Sequence, residues 1–262
     1  MKTGKLLTGY LKKRIAGIEA LMKKPPGNFS VQDFHRLRLE TKKLMAVVSM
    51  LHHSDRAHKM KKKLKPLRKI FDQAGKARAL QLEVSLLQKY VSGQMLKTYQ
   101  GILQNKLLKE KRKFSIVQLK EKDKLKNVFD FIISVAMKTR NKNAMEYLDH
   151  KKLEIYSFIK PEKLKTSKLH KLRKVLKTFS YTQKSLDLKN KGITYKAINE
   201  LQVILGKWHD YRVLIGHLSA VAGKSDIPTP ERKRIMKITG QLDSKSQMLL
   251  KKITAARKKT TF

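Results

Sequence analysis

Apolar residues recur at helical spacing along most of this chain, and no run alternates apolar and polar residues as a half-buried strand would. Phe34, Leu37, Leu44, Val48 and Leu51 fall on one helix face, and Leu172, Leu176 and Phe179 do the same much later. Interruptions are few: PPGN at 25–28, Gly75, a Ser-Gly pair at 92–93, Pro161, Gly192, Gly206 and IPTP at 227–230. The pattern predicts an all-α chain of long amphipathic helices with short connections, packed as antiparallel bundles.

The faces turned away from that core are cationic. Lys and Arg number 62 against 20 Asp and Glu, a formal net charge of +42 on 262 residues. Such a surplus repels itself and makes polyanions the obvious partners: nucleic acid, an anionic membrane surface or a polymer of phosphate. Of the cations 13 are Arg and 49 Lys. Lys acts as a point charge and suits an anionic backbone, whereas Arg is the usual reader of guanine edges. Hydrophobic residues make up 40%, enough for a real core, and the lack of cysteine excludes a disulfide framework or a thiolate metal site. The first residues, MKTGKLLTGYLKKRIAG, are basic without a sustained apolar run, and no stretch approaches the ~20 apolar residues of a membrane span. The expectation is a soluble, cytoplasmic protein.

Within this cationic background one pattern occurs twice. His-x-x-Arg-x-x-x-Lys appears as His35-Arg38-Lys42 and as His170-Arg173-Lys177. Residues at i, i+3 and i+7 lie within about 60° on a helix, so each triplet forms one stripe ~10 Å long. Like charges stacked this way repel, and the arrangement makes sense when an anion occupies the stripe. Arg38 and Arg173 offer planar forks for phosphate oxygens, and Lys42, Lys43 and Lys177 offer adjustable ammonium donors. His35 and His170 start near a pKa of ~6.5 and would be drawn toward protonation by bound phosphate. One such triplet alone reads as the solvated face of a basic helix; the repeated pair argues for a site.

The surroundings repeat too. Pro25 lies ten residues before His35, and Pro161 nine before His170. Residues 64–87 can be laid on 195–218, which sets Gly75 opposite Gly206, Arg78 opposite His209 and Ala79 opposite Asp210. An internal duplication follows, with half-repeats at about 1–139 and 140–262 forming a single domain and a join near Thr139–Asn143. Residues 105–139 read as an extra helix or hairpin of the first half.

Two H-x-x-R-x-x-x-K helices, each followed by a helix ending in L/A-G-x-x-x-(D), resemble the CHAD family, named for a conserved-histidine α-helical domain. The resemblance spans nearly the whole chain. It implies two helical bundles related by a pseudo-twofold, with the basic helices facing each other across a central basic groove. It also implies binding of inorganic polyphosphate there and association with polyphosphate granules. The chain departs from the pattern at Ala79, where an aspartate is usual, and at Thr178, where a second base would follow Lys177.

Several nearby residues admit two readings. Arg36, Lys43 and Lys174 are further candidate polyphosphate contacts. Arg68, Arg78, Lys207 and Arg212 admit groove lining or ordinary helix-end capping, and for Arg78 and Arg212 the two fit equally well. Gly75 and Gly206 are expected just past helix C-termini, with Asp210 in the first turn of the next helix. The histidines of LHHSDRAHK (51–59) suggest a metal cluster, but Ser54 and Asp55 form a helix-start signal, which favours a structural loop. Trp208 could stack a base and reads better as a core anchor; Met45, Met50, Met137 and Met145 read as core filler.

Catalytic signatures are missing. There is no phosphate loop, dinucleotide fingerprint, H-E-x-x-H or G-x-S-x-G, and the acids are scattered without clustering repeated between the halves. The chain is therefore expected to bind without catalysing, with no metal and no cofactor. The alternative is a non-specific binder of RNA or DNA, against which the stripes carry no interleaved aromatics.

Overall fold

The structure, a computed structural model, describes residues 2–53, 57–90, 96–161, 165–188, 193–223 and 225–259. Ten α-helices follow one another among them: α1 Lys2–Met22, α2 Val31–Leu51, α3 Ala57–Lys63, α4 Lys65–Leu87, α5 Lys97–Glu121, α6 Leu125–Met137, α7 Asn141–Ile159, α8 Thr166–Ser185, α9 Ile193–Ala222 and α10 Thr229–Lys258. A single 3-10 turn at Lys122–Lys124 joins α5 to α6. No strand occurs among the described residues, so the all-α expectation holds. Phe34, Leu37, Leu44, Val48 and Leu51, and later Leu172, Leu176 and Phe179, are all buried, as their helical spacing predicts.

The chain divides into two compact units, each assembled from three stretches: 1–81, 107–153 and 178–189 in the first, and 82–106, 154–177 and 190–262 in the second. In the first unit α1 packs on α2 and α6. Lys24, just past the end of α1, binds Asp33 near the start of α2 at 2.7 Å, while Arg14 reaches Glu40 further along α2 at 2.9 Å. Those pairings set the two helices antiparallel.

The start of α2 is fixed by local chemistry that places everything after it. The Ser30 hydroxyl accepts from the Asp33 amide at 3.1 Å, and the Asp33 carboxylate accepts from the Ser30 amide at 2.9 Å. This reciprocal capping box satisfies two amides that the first turn would leave open. Phe29 and Phe34 close the corner with ring centroids 5.2 Å apart, and Phe114 of α5 packs on both. Gln118 of α5 donates to the carbonyls of Met22 and Lys24, closing the end of α1.

In the second unit α9 packs along α10. Two helix ends there are capped from far away in sequence. Glu231 of α10 accepts from the amides of Thr98 and Tyr99 in the first turn of α5, at 2.8 and 3.1 Å. Arg257, buried to 4% exposure, donates to the carbonyls of Ile159 and Pro161 where α7 ends. The buried Glu83 carboxylate holds both the Tyr99 hydroxyl and His217 Nδ1, the latter at 2.7 Å. Among the described residues no helix is long and apolar enough to cross a membrane.

Candidate functional site

In the first unit α2 presents His35 and Arg36 to solvent and keeps Arg38, Lys42 and Lys43 half-buried. Arg38 does not extend freely. Its Nη1 donates to the Phe71 carbonyl of α4 at 2.7 Å, and its guanidinium carbon lies 4.2 Å from the Phe71 ring centroid. Gly75, one turn on from Phe71, makes the room: a Cβ there would stand 2.3 Å from Arg38 Nη1. Burial lowers the Arg38 pKa from its ordinary value; Asp72 opposes that and Arg78 of α4 adds to it. The guanidinium remains charged at any physiological pH, so α2 and α4 hold two guanidinium groups within electrostatic reach.

Lys43 is placed differently. Its ammonium binds Glu40 at 3.0 Å, and the same carboxylate holds Arg14. Lys43 therefore belongs to the α1–α2 seam as well as to the cationic face, about 80° around the helix from His35.

In the second unit α8 carries the other triplet. His170, Arg173 and Lys177 are half-buried and Lys174 is exposed. The His170 ring lies 4.7 Å, centroid to centroid, from the ring of His209 on α9. Burial lowers the His170 pKa, and the charges of Lys174 and Arg173 lower it further. Lys177 is likewise pulled down by burial and by Arg173, while Asp210 of α9 opposes the shift. Gln202 of α9 donates to the Leu176 carbonyl at 3.3 Å and keeps the two helices in register. Arg212 turns elsewhere, pairing with Asp243 of α10 at 3.1 Å, and both partners are about half exposed.

No protein-family model and no curated protein matches the sequence. Its architecture does match solved structures. The crystal structure of the CHAD domain from the plant Ricinus communis aligns with a TM-score of 0.77 at 12% identity, over 97% of this chain and 91% of that one. The chain has the CHAD fold. PptA from Streptomyces chartreusis aligns with a TM-score of 0.66 at 13% identity, over 98% and 97% of the two chains.

On this CHAD fold three sequence expectations need correction. Gly75 and Gly206 do not end helices: each lies inside a continuous helix, α4 and α9, because the buried apolar residues along the rest of each helix outweigh the ~1 kcal/mol that an interior glycine costs. Asp210 consequently sits deep within α9, beside Lys177, and not in a first turn. Met137 is exposed at the end of α6, while Met50 is buried and Met45 and Met145 are half-buried. Trp208 is a core anchor at 5% exposure, out of reach of a stacking base.

Ser54 and Asp55 lie outside the described residues. His53 meets His150 and Tyr147 of α7 at ring-centroid separations of 5.4 and 5.5 Å, and among the described residues no group of three or more His, Asp or Glu could hold a metal. Sequence reasoning missed Phe71 as the seat of Arg38 and did not include His209 among the site residues. Its alignment opposite Arg78 was the available signal for His209; a backbone carbonyl seat leaves none.

Proposed function

We propose that the protein binds inorganic polyphosphate through the cation clusters of both units, without catalysing its turnover. His35, Arg38 and Lys42 with Arg78 form one contact set, and His170, Arg173 and Lys177 with His209 form the other. Arg36 and Lys174 extend the two faces into solvent. One observation carries the reading: half-buried cations stand near other cations, Arg38 near Arg78 as well as Asp72 and Lys177 near Arg173 as well as Asp210, and the half-buried His170 imidazole stands near Arg173 and Lys174. Folding bears the cost of burying Arg38 and Lys177, Asp72 and Asp210 relieve it in part, and a bound polyanion would offset it further. The CHAD fold and the doubled motif support the choice of polyphosphate. So does the chemistry, because a base-free polymer needs charges in series and nothing that reads edges.

The test is binding of labelled long-chain polyphosphate near ~0.15 M salt, with RNA as competitor, on the wild type and on a variant with His35, Arg38, Lys42, His170, Arg173 and Lys177 all changed to Ala. The expected result is loss of binding in the variant, with RNA competing only at large excess. An equal number of Lys→Ala changes on other surfaces should weaken binding far less. RNA competing at matched charge, or a six-site variant that binds like the control set, would establish a general polyanion binder instead.

A further inference from the structure

The outward face of α5 carries a feature that polyphosphate binding leaves unused. Phe114 and Gln118 of this helix point inward, to Phe29, Phe34 and the end of α1. On the opposite side Leu108, Ile116 and Leu119 are 53, 65 and 53% exposed. At 100° per residue these three fall within about 80° of one another along ~17 Å of helix. Scattered exposed apolar residues are ordinary, but three on one helix face form a stripe. Exposed Lys109, Arg112 and Lys120 lie among and beside them, and the exposed residues of α5 from Asn105 to Lys120 include no acid. Glu110, half-buried, is engaged by Gln73 and Lys113.

The partner of such a face must be both anionic and apolar. A phosphate polymer or a nucleic-acid backbone offers nothing to Leu108, Ile116 and Leu119, which are aliphatic and cannot stack bases. A second copy of the face would set Lys109, Arg112 and Lys120 against their own like. A protein partner would need an acidic groove to receive a helix face, whereas a lipid surface receives it as a plane. We propose that the outer face of α5 docks on an anionic lipid bilayer, with Leu108, Ile116 and Leu119 entering the headgroup boundary and Lys109, Arg112 and Lys120 pairing with lipid phosphates. This is the chemistry of an interfacial helix face: apolar insertion supplies contact, and the cations supply selection for anionic lipid.

Co-sedimentation with phosphatidylcholine vesicles, with and without about one-third phosphatidylglycerol, tests it. The wild type should partition onto the anionic vesicles only. Leu108→Ser, Ile116→Ser and Leu119→Ser together keep the whole charge, and they should lower partitioning at least tenfold while polyphosphate binding stays unchanged. A control with Leu153→Ser, Met236→Ser and Met248→Ser, each more than half exposed on other helices, should partition like the wild type. The proposal is overturned if the wild type ignores anionic vesicles, as it would were an acidic protein groove the true partner. It is equally overturned if the α5 variant partitions like the wild type, or if the control falls as far. Because polyphosphate binding is read on the same variants, failure here leaves the polyphosphate reading standing or falling by its own assay.

Discussion

Replacing Gly75 by Ala separates a packing role from a conformational one. In an ordinary helix interior the change is favourable by up to ~1 kcal/mol. At Gly75 the new Cβ would meet Arg38 Nη1 at 2.3 Å and Cζ at 3.0 Å. Relief to normal contact requires a shift of about 1 Å, which stretches the 2.7 Å bond to the Phe71 carbonyl beyond hydrogen-bond range. A bond from a charged donor contributes about 1.5–3 kcal/mol, and part of the Phe71 ring contact, about 0.5–1 kcal/mol, goes with it. Net destabilisation of about 1–3 kcal/mol is expected. Gly206 supplies the control, because a Cβ there meets nothing within 4 Å; Gly206→Ala should stabilise by up to ~1 kcal/mol.

Thermal melts of the two variants should therefore separate by several degrees in opposite directions, at about 2–4 °C per kcal/mol for a chain near this size. In an Arg38→Ala background the penalty at Gly75 should vanish, since the clash partner has gone; this is a double-mutant cycle with a large coupling term. If Gly75→Ala melts with or above Gly206→Ala, or if the penalty persists without Arg38, the seat in α4 is not what this glycine provides.

Other outcomes follow from the caps and the titrating groups. Glu231→Ala should cost about 1–2 kcal/mol in urea unfolding by opening the first turn of α5. Arg257→Ala should cost about 2–4 kcal/mol, because it leaves the carbonyls that close α7 without their buried donor, with Arg257→Met losing less. Asp33 is held below its ordinary pKa, first by the hydrogen bond from Lys24; its contribution is present above the unfolded value of ~3.9 and is lost as pH falls through the folded value. Asp33→Asn should thus be less stable than wild type near neutral pH, and the two urea midpoints should converge in acid. His170, with its pKa held down, is neutral in the free protein near pH 7, and a bound polyanion would favour its proton. Polyphosphate affinity should then rise as pH falls through the window between the free and bound values, and His170→Ala should flatten that limb in a binding titration.

The helices and their buried faces were legible because a 3.6-residue period shows in the order of residues alone. The Ser30–Asp33 capping box and the Phe29–Phe34 contact are equally local, at spacings of three and five residues, although the sequence reading passed over both. Other features were not readable in that way. Glu231 caps α5 across 133 positions and Arg257 closes α7 across 98, so neither leaves a local pattern. A glycine in sequence announces only freedom from a side chain. Whether it ends a helix or admits a guanidinium depends on what the neighbouring helix brings to it, and Gly75 and Gly206 differ in that respect.

That difference bears on how two similar stripes would divide the proposed task. Arg38 and Arg173 occupy matched positions of one motif, yet the layers beneath them are unlike. Beneath α2 lie Phe71, Gly75 and Arg78, which fix one guanidinium on a backbone carbonyl and set a second near it. Neither of these changes protonation in the physiological range. Against α8 lie His209 and Asp210, which meet an imidazole and an ammonium whose pKa values are both pulled down. A polyanion bound at these clusters would meet fixed charge at Arg38 and Arg78, and at His170 a group whose protonation its own binding favours. The part of the pH dependence that comes from His170 should then survive the loss of Arg38 while the affinity itself falls.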